Sequence, residues 1–466
     1  MRITSIFAIC SLLLSFVLSS CCSAPEAAQA STTPDWVYDA VVYEMNIRQQ
    51  TEEGTFAAAE QRLPFLKELG VDIIWLMPIY PIGELERKGT LGSYYSIVDY
   101  KAINPEFGTL EDFKSFLDKA HELGFKVIVD WVANHTSRDA KWWVEGKKDW
   151  YKIDPATDLP IVEYDWTDIA SLNYDNAEMR ATMTDALCYW IELGIDGYRC
   201  DVAYKVPADY WQNAWAEVKK INPDVYLLAE GEEAWLHDCG FNASYAWELH
   251  HMMNAMAKGG SETKNVAGDG TIKTDTKCVA DLTAYIARDA QNYPRSAMRL
   301  MFTSNHDENS WAGTEFERLG DAVKTMAALT YVLPQGQPLI YTGQEIGHND
   351  RFEFFEKDPV KVWEANEWTA YYKALNAMRH NNPALFAGER GGAMTSIEVA
   401  NADVLAFSRE VEANKVMCLF NLSAKDQQLT MENALEGYAD ALTGEDVVVA
   451  KDATMAPWEY RILVKK

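Results

Sequence analysis

Short, nearly unbroken apolar runs recur along the chain, and longer stretches with helical spacing of apolar positions lie between them. "VVYEMNI" (41–47) leads to "FAAAEQRLPFLKELG" (56–70) and then to "VDIIWLMPI" (71–79). "LEDFKSFLDKAHELG" (110–124) precedes "FKVIVDWV" (125–132) in the same way. Later runs are "IDGYRCDV" (195–202), "DVYLLAEG" (224–231), "LMFTSNHD" (300–307) and "QPLIYTGQE" (337–345). Several helical stretches close on glycine, at Gly70, Gly124 and Gly194, where a helix stop is wanted. Strands apolar on both faces, alternating with helices, imply a parallel sheet covered by helices. Seven strands are plain, and an eighth is expected within the weaker pattern "CGFNASYAW" (239–247). Eight strand–helix units over this length read as an α/β fold, a (β/α)8 TIM barrel. An open doubly wound sheet is the alternative, but no Gly-rich phosphate loop follows the first strand.

Two segments break the rhythm. Residues 136–175 are rich in Trp, Asp and Lys with no clear helix, and long irregular insertions in a compact domain usually carry function. After about residue 384 the pattern alternates, as in "VLAFSREV", "KVMCLFNLS" and "YRILVKK", which reads as a C-terminal antiparallel β domain. The expected organisation is therefore a barrel over 36–383, including the insertion after strand 3, and a β domain over 384–466.

The N-terminus belongs to neither. "MRITSIFAICSLLLSFVLSSCC" has one basic residue, Arg2, and then an apolar run of signal-peptide length, short and Ser-interrupted for a membrane span. "LSSC" (18–21) resembles the lipobox of bacterial lipoproteins, which implies lipidation of Cys21, with Cys22 beside it. Residues 1–20 are then a signal peptide and 21–35 a small-residue polar tether. The implied location is the cell envelope of a Gram-negative bacterium, lipid-anchored on a periplasmic or outer-membrane face.

Composition narrows the partners. Lys+Arg total 42 against 70 Asp+Glu, a formal charge of -28. Such a chain repels nucleic acid and anionic membrane surfaces, so a neutral partner is the natural expectation. Sixteen Trp and 23 Tyr suit stacking on uncharged flat faces such as sugar rings, and equally an aromatic-rich core. Cys188, Cys200, Cys239, Cys278 and Cys418 are scattered without metal-ligand spacing; they read as small buried residues, with no protein-bound metal expected from them.

The chemistry gathers where barrel strands end. Strand 3 ends on Asp130, Asn134 and His135, strand 4 on Arg199 and Asp201, strand 5 on Glu230, and strand 7 on His306 and Asp307. Arg199 and Asp201 are two apart, so they share one face of their strand, and buried charges are costly unless paired. Any one of these groups could be a satisfied core charge. A set drawn from four strand ends is hard to explain that way.

"DWVANH", "GYRCDVA", "LLAEGEE" and "FTSNHDEN", in this order between residues 130 and 309, resemble the ordered sequence regions of the α-amylase superfamily, glycoside hydrolase family 13. "YEMNIRQ", "GSYYSIVDYKAINPEFGT" and "YTGQEIG" are also similar to the family, and the resemblance covers about 36–466. It implies a retaining glycosidase acting on α-1,4 bonds of starch, glycogen or maltooligosaccharides, or a neopullulanase-like, α-glucosidase-like or transglycosylating relative. By resemblance Asp201 is the nucleophile, Glu230 the general acid and Asp307 the third carboxylate. Arg199 would favour the ionised form of Asp201. Glu230 closes an apolar strand, the partly desolvated setting that suits an acid, with Glu232 and Glu233 as rivals. Retaining chemistry asks for the two carboxyls about 5–5.5 Å apart. His135 and His306 would bind sugar hydroxyls and Tyr95 would stack under the ring, with Tyr94 a competitor. No cofactor is required; Asn134 matches a residue that often ligates a structural calcium, which makes calcium possible. Tyr204 and Lys205 stand where many α-amylases carry Lys–His, and Glu308 follows Asp307 unusually. Trp235 and His237 either line the cleft or pack their loop.

Overall fold

The computed structural model describes residues 33–466 apart from 267–269 and 277–278. The signal peptide, Cys21, Cys22 and nearly all of the tether lie outside the described residues, as does Cys278.

Eight parallel strands close into a barrel: β1 (Val42–Met45), β2 (Ile73–Leu76), β3 (Lys126–Val132), β4 (Gly197–Asp201), β5 (Tyr226–Ala229), β6 (Ala243–Tyr245), β7 (Met298–Met301) and β8 (Gly336–Tyr341). Each pairs with its neighbours in sequence, and β8 closes on β1 with Tyr43 opposite Ile340. The weak eighth pattern is the three-residue β6, so the barrel is the one the apolar runs imply.

Because side chains alternate along a strand, the barrel has two apolar layers. Ile73, Trp75, Ile128, Leu228, Tyr245 and Leu300 belong to an inner cluster. Val127, Val129, Trp131, Tyr198, Cys200 and Leu227 face outward into the larger core beneath the helices. On β3 and β4 the same alternation turns Asp130, Arg199 and Asp201 inward. At Gly197 any side chain is excluded: a Cβ there would stand 1.9 Å from the Tyr226 carbonyl oxygen, so β4 and β5 approach closely only because this residue is glycine.

Helices fall where the periodicity places them, with one difference. The single helix expected over 56–70 is two, α1 (Phe56–Glu60) and α2 (Leu63–Leu69). Pro64 sits in the first turn of α2, the part of a helix that tolerates a missing N–H. α3 (Leu110–Glu122) opens on a capping box between Thr109 and Asp112. α4 (Ala177–Glu192) is capped by Asn176, and α5 (Ala208–Ile221) follows β4.

The insertion is tied at its base by an antiparallel ribbon pairing His135–Ser137 with Ile169–Ser171. It contains a single-turn helix, Lys141–Val144, a 3-10 turn, Lys148–Trp150, and a second small ribbon of Ile153–Asp154 with Leu159–Pro160. Beyond the barrel, a six-stranded antiparallel sheet runs in the order Thr395–Ser396, Val404–Val411, Asn414–Asn421, Tyr460–Lys465, Leu435–Asp440, Asp446–Val449. Arg409 joins it to the barrel. Its buried guanidinium donates to the carbonyls of Val332 and Leu333 at 3.1 Å, Phe386 at 2.7 Å and Gly392 at 2.8 Å. Burial, aided by Arg379, pushes Arg409 down to about 9. Val332 ends the helix Val323–Val332, so the cation meets the negative end of a helix.

Candidate active site

The site is built at the ends of β4 and β5 and completed by loops from the other strands. Arg199 is fully buried inside the barrel. Its Nη1 donates to both oxygens of Asp130 (3.0 and 3.1 Å) and to Asp201 Oδ1 (3.3 Å). Its Nη2 lies 2.9 Å from Glu230 Oε2, and Nε donates to the Tyr245 hydroxyl at 3.1 Å. Asp201 and Glu230 are thus held by one guanidinium and face one space. Their side chains are 11% and 12% exposed and that of Asp307 36%, so a ligand can reach all three.

The backbone contributes as well. Val202, directly after Asp201, has φ 37° and ψ 46°, a left-handed conformation that a β-branched residue rarely adopts. In that conformation its N–H donates to Glu230 Oε2 at 2.8 Å. Strain of this kind persists where surroundings over-determine it, often at functional sites. Glu230 Oε2 thus accepts from the Val202 N–H and lies beside Arg199 Nη2, and Oε1 takes part in neither contact.

The rest of the rim is a hydrogen-bonded ring. Tyr95 donates its hydroxyl to Asp130 Oδ2 at 3.1 Å and lies 2.8 Å from His306 Nε2. The two rings stack, with centroids 5.4 Å apart. His306 Nδ1 is bonded to Glu44 Oε1 on β1, and Nε2 lies 3.4 Å from Asp307 Oδ2. Burial disfavours charge on His306, but Asp307 and Glu44 outweigh it and push the imidazole up to about 9. Trp75 Nε1 donates to Asp130 Oδ2 at 3.2 Å. Asp130 is consequently saturated, a support for Arg199 and Tyr95.

Arg199 favours the ionised form of Asp201, as expected, but is outweighed. Arg199 is shared by Asp130, Asp201 and Glu230, and it does not hold Asp201 at an ordinary carboxylate value. Burial first, and then the charge of Glu230, raise Asp201 well above that value. The pocket therefore disfavours ionisation of Asp201. Two neighbouring carboxyls on one guanidinium, with an imidazolium alongside, are the kind of parts that cleavage of a C–O bond between sugars requires.

Comparison with known proteins agrees. The sequence model of the alpha amylase catalytic domain matches residues 42–163 and 152–382. The chain belongs to the α-amylase family. A second model, the maltogenic amylase C-terminal domain, matches 394–462. Alpha-amylase MalA of Haloarcula japonica is 29% identical over 427 residues, which cover 88% of this chain and 59% of that protein. Neopullulanase 2 of Thermoactinomyces vulgaris is 27% identical, covering 90% of this chain and 76% of its own. Among solved structures, an alpha-amylase from Lactobacillus plantarum superposes with a TM-score of 0.79 at 28% identity, covering 92% of this chain and 99% of that one. This α-amylase-family protein is a glycoside hydrolase.

Within the family frame the structure separates the rivals. Glu232 turns away to Arg299 (3.3 Å), Glu233 accepts from the Glu232 N–H, and Glu230 is the one of the three that meets Arg199 and the Val202 N–H. Tyr94 is buried under Arg48, whose guanidinium lies 4.2 Å from its ring centroid, and Tyr95 alone faces the carboxylates. His237 bonds the Phe241 carbonyl and the Ser244 hydroxyl, and Trp235 packs on the core; both hold their loop. Glu308 is buried against His250 at 3.0 Å behind Asp307.

His135 sits at the foot of the insertion, bonded through Nδ1 to Asn134 and packed on Trp166. Burial pushes it down to about 4, so it is neutral. Asn134 Nδ2 also donates to Glu163 Oε1, and Lys205 takes Glu163 Oε2 and reaches the Tyr164 hydroxyl at 2.7 Å. An ammonium from the chain already neutralises this carboxylate, and Asn134 presents its donor side. The donors here do not fit a calcium ion, and among the described residues no group of three His, Cys, Asp or Glu is placed to hold a metal. Sequence reasoning missed Glu44, Trp75 and Tyr245; the one available signal was a carboxylate inside the apolar run "VVYEMNI".

Proposed function

We propose that the protein is a retaining hydrolase of α-1,4-glucosidic bonds in starch, glycogen or maltooligosaccharides. The observation that carries this reading is the placement of Asp201 and Glu230 on one Arg199 guanidinium at adjacent strand ends, with Asp307 and His306 across the opening. Glu230 Oε1 gives its proton to the glycosidic oxygen as an Asp201 oxygen forms a bond to the anomeric carbon and the C–O bond breaks. The glycosyl ester is then hydrolysed by a water whose proton returns to Glu230, freeing Asp201. A glycosidic oxygen accepting from Oε1 places the proton where the leaving group needs it, and Asp201 attacks as the anion. Asp307 and His306 bind ring hydroxyls and favour the developing oxocarbenium charge through the carboxylate, while neutral His135 and the Tyr95 ring position the sugar.

The C-terminal domain match and the neopullulanase relative favour a second reading within the same chemistry, a neopullulanase-like or transglycosylating enzyme. Lipid attachment at Cys21 and residence in the cell envelope belong to the same proposal and rest on the N-terminal sequence; among the described residues no helix is long and apolar enough to cross a membrane.

NMR of maltoheptaose during cleavage tests the reaction: the α-anomer is released first, and β-anomer released first overturns retention. Asp201→Asn is expected to keep its melting temperature and lose turnover by several orders of magnitude. Wild-type turnover in that variant overturns the nucleophile. Product chromatography on pullulan separates the two substrate readings, and Cys21→Ala is expected to release the protein from membranes.

A further inference from the structure

Four residues beyond Asp307, Trp311 is 57% exposed, in the turn Glu308–Ala312. It is the outer end of a row of rings. Tyr95 stacks on Phe354 with centroids 6.3 Å apart and planes at 17°. Phe354 lies 6.2 Å from His306 and 5.4 Å from Trp311, and Phe355 lies 5.6 Å from Trp311. Phe354 is buried, so it spaces the reacting position from an indole face that meets water.

The row is firmly backed. Asn309 accepts from the Phe352 N–H at 2.8 Å and donates to the Asp350 carbonyl. The Leu91 N–H donates to the Phe355 carbonyl at 3.0 Å. A large apolar ring held rigid beside a polar opening loses little entropy when something flat settles on it. The direction of the row also has meaning. Glu230, which serves the leaving oxygen, stands on the β4–β5 side beside Val202. Tyr95 follows β2, His306 and Trp311 follow β7 and Phe354 follows β8, none of them a neighbour of β4 or β5 in the barrel, so the row lies away from the leaving-group side.

We infer that Trp311, backed by Phe354 and Phe355, is a stacking subsite for a glucosyl unit on the non-reducing side of the reacting sugar. The inference rests on the glucan reading above and deepens it. The ligand class is a linear α-glucan of three or more units, and the subsite favours cleavage inside such a chain over removal of terminal glucose.

Calorimetry on the full chain tests it with two probes. Maltoheptaose, titrated into Asp201→Asn, reaches the row; 1-deoxynojirimycin, titrated into the unaltered protein, fills the reacting position alone. Adding Trp311→Ala is expected to weaken maltoheptaose about tenfold and 1-deoxynojirimycin by less than twofold, with Trp311→Phe recovering most of the loss. Unchanged maltoheptaose affinity overturns the subsite, and so does an equal loss for both probes, which marks a structural role. Failure of the glucan reading is seen separately, as absence of maltoheptaose hydrolysis by the unaltered protein, while the calorimetry still decides the subsite.

Discussion

One guanidinium at the end of β4 touches Asp130, Asp201 and Glu230, and one imidazole beside it touches Glu44 and Asp307. Two cations therefore serve five carboxylates, so burial, and after it the charge of Glu230, raise Asp201 although an arginine lies next to it. The imidazole responds to the same imbalance. His306 is held up at about 9 in the fold against about 6.5 in an unfolded chain. Its contribution to stability is complete below about pH 6.5 and is lost as pH rises through about 9, a matter of about 3 kcal/mol at this buried position. Chemical denaturation at pH 6 and pH 10 reads that loss directly. Replacing Glu44 by Gln removes one carboxylate facing His306, and the alkaline limb of the kcat/KM profile is expected to move acidward by about one pH unit or more. An unmoved limb separates His306 from catalysis.

Elements carry the loops that these residues need, and sequence spoke unevenly about them. The apolar runs disclosed seven strands plainly, and the three-residue β6 only weakly, because a buried parallel strand needs little besides apolar side chains. Pro64, which splits one expected helix in two, has its cause in plain view in the chain. Tyr94 and Tyr95 were harder: they lie in a loop without a period, and only the packing of Tyr94 on Arg48 decides which ring faces inward. Glu44 stayed hidden because its partner is 262 positions away. The insertion gave no helical signal because polar contacts hold it: Lys205 on Glu163, and Asn134 and Ser171 on the other oxygen of that carboxylate. Lys205→Met is expected to cost about 1–3 kcal/mol, to speed proteolysis between residues 138 and 168, and to raise KM more than it lowers kcat. Proteolysis at the wild-type rate contradicts a clamp.

At the scale of the whole molecule, the β domain is fastened to the barrel by a buried cation that meets only carbonyl groups. Arg409→Met leaves the carbonyls of Val332, Leu333, Phe386 and Gly392 without this donor. The expected cost is about 2–4 kcal/mol, seen as a lower Tm by scanning calorimetry; Arg409→Lys is expected to recover only part, because an ammonium cannot fan out to four oxygens. A larger consequence follows from the surplus of carboxylates around Arg199. Any sugar mimic whose ring nitrogen takes up a proton brings the very charge that this pocket lacks. Its grip on the enzyme tightens as hydrogen ions are supplied to the nitrogen and slackens when the pocket's own acids are neutralised, so inhibition peaks within a band of pH instead of rising steadily toward either end.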